Sequence, residues 1–166
     1  YYHTMAKILQ AAHSRGYRRI GMLASADMDI RADESFSMVF EHFFWTAHKP
    51  PGNALQYYNG WTIDRYAQWL RTFKPDVVIV PFPTLIRPLR EAGAAIPEKI
   101  GLVCQIWRPS HAEVTGVRQP MQELGAVAVD LVVEQIYQNQ RGVPDRVKAV
   151  MLEGEWVEGT TLPRRR

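Results

Sequence analysis

From Met5 to Val157, segments whose apolar residues recur three and four apart alternate with short unbroken apolar runs, and this alternation is the strongest constraint on the fold. A helix buries one stripe, and a strand covered on both sides buries both faces. The two in alternation build a parallel sheet with crossover helices. Met5, Ile8, Leu9 and Ala12 mark a first helix that Gly16 ends, before a strand at 19–24. Phe36, Val39, Phe40, Phe43, Phe44 and Ala47 mark a second helix, closed by Pro50-Pro51 and followed by a strand at 55–58. Thr62 is the expected N-cap of a helix from Ile63 to Phe73, with Tyr66, Leu70 and Phe73 on one face. Val77 to Val80 then reads as a central strand. A helix over 84–92 follows, kinked or started late by Pro88, and then a strand over 100–104. The longest helix is expected from Met121 to Asn139, with Leu124, Val127, Ala128, Leu131 and Ile136 on one side and Arg141-Gly142-Val143-Pro144 ending it. Strands at 147–153 and 155–157, parted by a turn at Gly154, close an α/β chain.

A chain of 166 residues, 46% hydrophobic, can bury one substantial core. No apolar run approaches the length of a membrane span, and no stretch combines a basic start with a signal-type apolar region, so no membrane is expected. The chain opens Tyr1-Tyr2-His3 without an initiator Met, as expected of a piece of a longer protein. One cysteine, Cys104, makes no internal disulfide, which fits a cytoplasmic setting. The net charge of +3 resides in Arg164, Arg165 and Arg166, which read as a solvated tail; the body is neutral and has no basic helix to bind nucleic acid.

Catalytic and metal chemistry find no pattern. The five histidines are scattered, no phosphate loop, serine elbow or zinc motif occurs, and Asp27-Met28-Asp29 lacks the Gly and Glu of a calcium loop. Neither metal nor cofactor is expected, and Cys104, at the end of an apolar strand, reads as a small core residue. Ligands of open α/β sheets sit beyond the carboxyl ends of the strands. That rule selects Ser25 to Arg31, Asn59 to Trp61, Pro81 to Pro83 and Gln105 to Trp107. Two of these loops carry Trp beside amides, a composition suited to stacking a sugar face while binding its hydroxyls.

Four phrases then resemble the C-terminal half of the lactose/galactose-repressor (LacI/GalR) family. They are Ala12-His13-Ser14-Arg15-Gly16-Tyr17-Arg18-Arg19-Ile20-Gly21, Lys74-Pro75-Asp76-Val77-Val78, Ile96-Pro97-Glu98-Lys99-Ile100-Gly101-Leu102-Val103, and Thr115-Gly116-Val117-Arg118-Gln119-Pro120 with Leu124, Gly125 and Ala128. Their order over nearly the whole chain makes the resemblance specific. It implies the two-lobed periplasmic-binding-protein fold of type I, represented mostly by its C-terminal lobe. Residues 1–113 would belong to that lobe, 114–144 would supply a crossover strand and a helix of the N-terminal lobe, and 145–166 would return as strands and a basic tail.

The resemblance further implies a small-molecule effector, expected to be a carbohydrate, and a homodimer that reads operator DNA through an N-terminal headpiece outside this chain. Arg31, Trp61, Phe82, Gln105 and Trp107 are the implied ligand contacts. The chain departs from the family where Pro81-Phe82-Pro83 replaces an Asn-Asp pair and where Ile106 stands in place of an acidic residue after the strand. Both departures point to a changed effector. Trp69 and Leu70 point about 100° apart on one helix, and Leu85, Ile86 and Leu89 spread around the next, so these five are expected to leave apolar surface for a dimer interface. A transport-type sugar-binding protein of the same fold, or an α/β enzyme, are the alternatives.

Overall fold

The computed structural model describes residues 2–47, 52–143, 146 and 148–165; Pro50, Pro51, Pro144, Val147 and Arg166 lie outside it. Six strands, β1 (Ile20–Ala24), β2 (Leu55–Tyr57), β3 (Val77–Val80), β4 (Gly101–Cys104), β5 (Thr115–Arg118) and β6 (Glu155–Val157), form one sheet in the order β2-β1-β3-β4-β5-β6. The first five run parallel and β6 is antiparallel to β5. Register is set in the centre, where Val77, Val78, Ile79 and Val80 pair with Gly101, Leu102, Val103 and Cys104, all fully buried. Apolar residues on both faces of β3 and β4 require a layer on each side.

Helices α1 (Tyr2–Ser14) and α3 (Ser35–Ala47) pack together, while α4 (Ile63–Phe73) and α5 (Ile86–Glu91) pack together opposite them. Right-handed crossovers dictate this division, because the chain moves outward from β1 to β2 and then reverses toward β3. α1 buries Met5, Ile8, Leu9 and Ala12, and Gly16 beyond its end takes the positive φ of 91° that favours glycine. The Thr62 hydroxyl caps α4 by accepting the Arg65 amide, and Lys74 closes that helix at φ 51°. Pro88 is tolerated because α5 starts late: residues Pro83–Leu85 form a 3-10 turn, and Pro88 falls in the first turn of α5, where no intrahelical amide bond is required.

Three expectations are corrected. Residues 148–153 form no strand; β6 alone returns, three residues long. Residues 115–118 extend this same sheet as β5 beside β4, and Gln119 and Pro120 lead from it to the last helix. The basic tail is not solvated throughout. The Arg165 amide donates to the Arg15 carbonyl, its guanidinium donates to the Lys99 carbonyl and lies 5.1 Å from the centre of the Tyr17 ring, and Leu162 and Thr161 before it are buried. Finally, Trp69, Leu70, Leu85, Ile86 and Leu89 leave no apolar surface over. All five are buried within the chain, the least covered being Leu70 at 9% exposure. Trp69 stacks on Phe73 and covers Gly21, where an added Cβ would approach the indole to 2.8 Å.

Helix α6 (Met121–Tyr137) is the exception to this packing. It buries no residue, and Leu124, Val132, Val133 and Ile136 are all exposed.

Candidate functional site

Parallel pairing sends the ends of β1 to β5 to one edge, where backbone hydrogen bonds tie the exit loops to one another. The Tyr58 amide donates to the Ala24 carbonyl, and the Ala26 amide to the Asn59 side chain at 3.0 Å. On the other half, the amides of Gln105, Ile106 and Trp107 donate to the carbonyls of Val80, Pro81 and Val117. Each loop is thus held by its neighbour, and side chains on this rim are placed by the sheet rather than by mobile loops.

The five sequence-selected contacts fall on this rim but differ in what they can offer. Residues 26–31, expected as a loop, form helix α2 (Ala26–Arg31), and Arg31 on it is exposed, with no carboxylate partner among the described residues. Trp61 is half-buried against α4, its ring 5.2 Å from that of Tyr66 and 6.3 Å from that of Trp69, with the Arg65 guanidinium 5.5 Å from its centre. One indole face is therefore occupied by protein. A cavity of about 210 Å³ beside it is lined by Asn53, Gln56, Gln68 and Thr72. Phe82 is half-buried in the β3 exit loop. Gln105 is 2% exposed, and its side-chain amide donates to the Met5 sulfur at 3.6 Å, a weak acceptor.

Trp107 differs from the rest. Its indole Nε1 is buried and has no acceptor among the described residues. A buried donor left unpaired costs about 1–3 kcal/mol. Close by in sequence, Gln119 donates to the Gln105 carbonyl at 3.5 Å and, with Pro120, Met121 and Glu123, lines a cavity of about 440 Å³ where β5 passes into α6.

Sequence reasoning missed Asp29, which is 1% exposed. Its carboxylate accepts the amides of Phe36 and Ser37 at 3.2 and 3.3 Å and the Tyr57 hydroxyl at 2.8 Å, capping α3 and fastening α2 to β2. No local capping pattern announces an acceptor seven and eight residues before the amides that donate to it. Cys104 is fully buried, and burial pushes its thiol up to about 12, so it stays a neutral core group. Among the described residues, no three His, Cys, Asp or Glu gather as a metal site, and no helix is long and apolar enough to cross a membrane.

A doubly wound parallel sheet, an antiparallel closing strand and exit loops gathered at the carboxyl ends are the arrangement of a periplasmic-binding-type lobe. The family model of the periplasmic binding protein-like domain matches residues 9–162, and the chain belongs to that family. Its fold is the one that LacI-type regulators carry. Transcription regulator CcpA of Lactococcus lactis superposes with a TM-score of 0.70 at 17% identity, covering 96% of this chain and 62% of that one. The Lac repressor dimer bound to operator and an anti-inducer gives 0.76 at 17% identity, with 98% and 51% covered. A LacI-family regulator from Lactobacillus casei with bound sucrose gives 0.68 at 15% identity, with 96% and 62% covered. The chain therefore spans between 51% and 62% of the length of these structures. No curated protein gives a significant match.

Proposed function

We propose that this chain is most of the C-terminal, effector-sensing lobe of a LacI-type transcription regulator, and that its carboxyl rim binds a carbohydrate. The observation that carries the reading is the orphaned Trp107 Nε1 on a rim braced by backbone hydrogen bonds. A sugar hydroxyl accepting that N–H would remove the desolvation cost while the indole face covers the ring. Phe82 belongs to the neighbouring loop, joined to the Trp107 loop by the Ile106 to Pro81 hydrogen bond, and supplies a second apolar surface. Arg31 offers the free charged contact. Gln105 acts from beneath through its backbone, and Trp61, already packed on α4, contributes its remaining face.

In this reading α6 belongs to an N-terminal lobe that would cover its exposed apolar side, with the ligand between the two lobes. The effector shifts the population of closed lobes and so the affinity of a homodimer for operator DNA, bound through a separate headpiece. The sucrose complex and the operator-bound dimer among the similar structures support each part of this reading at the level of fold. No covalent step is needed. A dimer built on α4 and α5 would meet mostly through their exposed polar residues, such as Gln68, Thr72, Arg87 and Glu91, because apart from Ile63 their large apolar residues are buried within the chain.

Calorimetric titration of the intact protein with a panel of mono- and disaccharides tests the reading. Binding of at least one sugar is expected, with Trp107→Phe weakening it by about 1 kcal/mol through loss of one hydrogen bond. Absence of binding across the panel, or equal affinity in Trp107→Phe, overturns it.

A further inference from the structure

A further cavity of the lobe lies away from the carboxyl rim. About 510 Å³ in volume, it lies at the opposite edge of the sheet, where β1, β3 and β4 begin, between the Arg18-Arg19 turn and the end of α4. Five of its lining residues are cationic, Arg18, Arg19, Lys74, Lys99 and Arg165, against the single carboxylate of Asp76. That carboxylate is already committed: it accepts the backbone amides of Arg18 and Arg19, both at 2.9 Å, and lies 3.5 Å from the Arg165 guanidinium. Among the described residues, Arg18, Arg19, Lys74 and Lys99 form no ion pair.

The arginines are nonetheless fixed in place. Arg18 donates to the carbonyls of His13 and Tyr17, and Arg19 to that of Lys74 at 3.1 Å, which spends one end of each guanidinium and leaves the rest. Lys74 has a structural reason to be cationic, since it closes α4 where the helix dipole favours positive charge. That reason does not extend to the other four. Like charges gathered around one concavity repel, and a multiply charged anion relieves that repulsion. The remaining wall is apolar, formed by Phe44, Phe73, Ile20 and Pro75.

We propose that this amino edge is a second binding site, for a small organic phosphate whose phosphoryl group lies among Arg18, Lys74 and Lys99 and whose apolar body rests on Phe44 and Phe73. Charge selects an anion of at least two negative charges, which a phosphate monoester provides near neutral pH and a simple carboxylate does not. The volume admits one small molecule. The site stands apart from the carboxyl rim and does not depend on the reading given to it.

Phenyl phosphate, inorganic phosphate and benzyl alcohol are the probes, titrated calorimetrically into the intact protein. Phenyl phosphate binds, inorganic phosphate binds more weakly and benzyl alcohol does not, and raising salt from about 50 to about 300 mM weakens the first two several-fold. Lys74→Glu with Lys99→Glu lowers phenyl phosphate affinity about tenfold or more, and Phe44→Ala narrows the gap between phenyl and inorganic phosphate. Should the double charge reversal fail to fold, Lys74→Gln with Lys99→Gln, at exposed positions, serves in its place. Amide resonances of Lys74 and Lys99 shifting on titration of the unmodified protein give an independent readout. No binding up to about 10 mM, or affinity unchanged in the lysine variants, overturns the proposal. Displacement of phenyl phosphate by a random-sequence DNA duplex at equal phosphate concentration also overturns it, assigning the patch to nucleic-acid backbone.

Discussion

Replacing Trp69 by Ala separates a core role from an interface role. The indole is 5% exposed, stacks on Phe73 with ring centres 5.7 Å apart, and donates through Nε1 to the Asn53 carbonyl at 2.9 Å. Loss of a buried Trp costs about 3–5 kcal/mol; the hydrogen bond adds little, because exposed Asn53 can turn to water. The reciprocal change is Gly21→Ala in β1, whose methyl would meet the indole at 2.8 Å and the Phe73 ring at 3.1 Å. Alone it forces the ring outward and costs about 1–3 kcal/mol. In the Trp69→Ala background the closest clash is gone and the Phe73 ring, freed of its stacking partner, has room to give, so the second substitution costs far less. The two should therefore couple by about 1–3 kcal/mol, far from additive. Urea unfolding followed by far-ultraviolet circular dichroism measures all four corners of the cycle, with equal slopes checking that one transition is compared throughout. Three results would refute the packing argument. They are a Trp69→Ala cost below about 1 kcal/mol, additivity within about 0.5 kcal/mol, or a loss that depends on protein concentration.

Three further outcomes are expected. Asp29→Ala removes the acceptor of two α3 amides and the Tyr57 hydroxyl, and should lower stability by about 2 kcal/mol in the same urea assay. Thr161→Val deletes the hydroxyl that accepts the Thr115 amide and donates to the Leu102 carbonyl. It leaves a buried donor unpaired, so the melting temperature should fall by the equivalent of about 1–3 kcal/mol. Burial raises the Cys104 thiol from 9.0 to about 12, and burial raises Tyr17, Tyr58 and Tyr66 as well. Folded values above unfolded ones mean this stability is complete below pH 9 and is lost as pH rises toward 12, a decline that denaturation at stepped alkaline pH would trace. A thiol reagent at neutral pH should label Cys104 only on unfolding.

The sheet was legible in the sequence because its strands are short, apolar on both faces and separated by helices with a clear stripe; Val77 to Val80 could be little else. Ends were less legible where the cause is not local. The closing strand shrinks to Glu155–Val157 because only that stretch reaches β5, with Trp156 opposite Val117. The tail looked solvated because a run of arginines carries no sign of the Tyr17 ring and Lys99 carbonyl that hold Arg165. Helix faces misled for a similar reason. A 100° spread between Trp69 and Leu70 exceeds one sheet face, but Gly21, lacking a side chain, lets the indole lie flat against β1. Of the rim, the loops followed from strand order alone, whereas the unpaired Trp107 N–H and the cap made by Asp29 depend on contacts across the fold.

The rim and α6 are mechanically joined. Trp107 is anchored to the Val117 carbonyl of β5, and two residues beyond Val117 the Gln119 side chain holds the Gln105 carbonyl of the β4 exit, just before α6 begins. A 17-residue helix that buries nothing here gains no tertiary stability from this lobe, and an isolated helix of that length is marginal in water. Under the proposed reading, a layer covering Leu124, Val132 and Ile136 would stabilise α6 and fix how the chain leaves β5. The same short stretch, Val117 to Pro120, also bonds the backbone of the loop that carries Trp107. A ligand accepting the Trp107 N–H and the cover of α6 would then bias one another by the same free energy. That linkage needs no motion within the six-stranded sheet, whose central pairs are fully buried and uninterrupted.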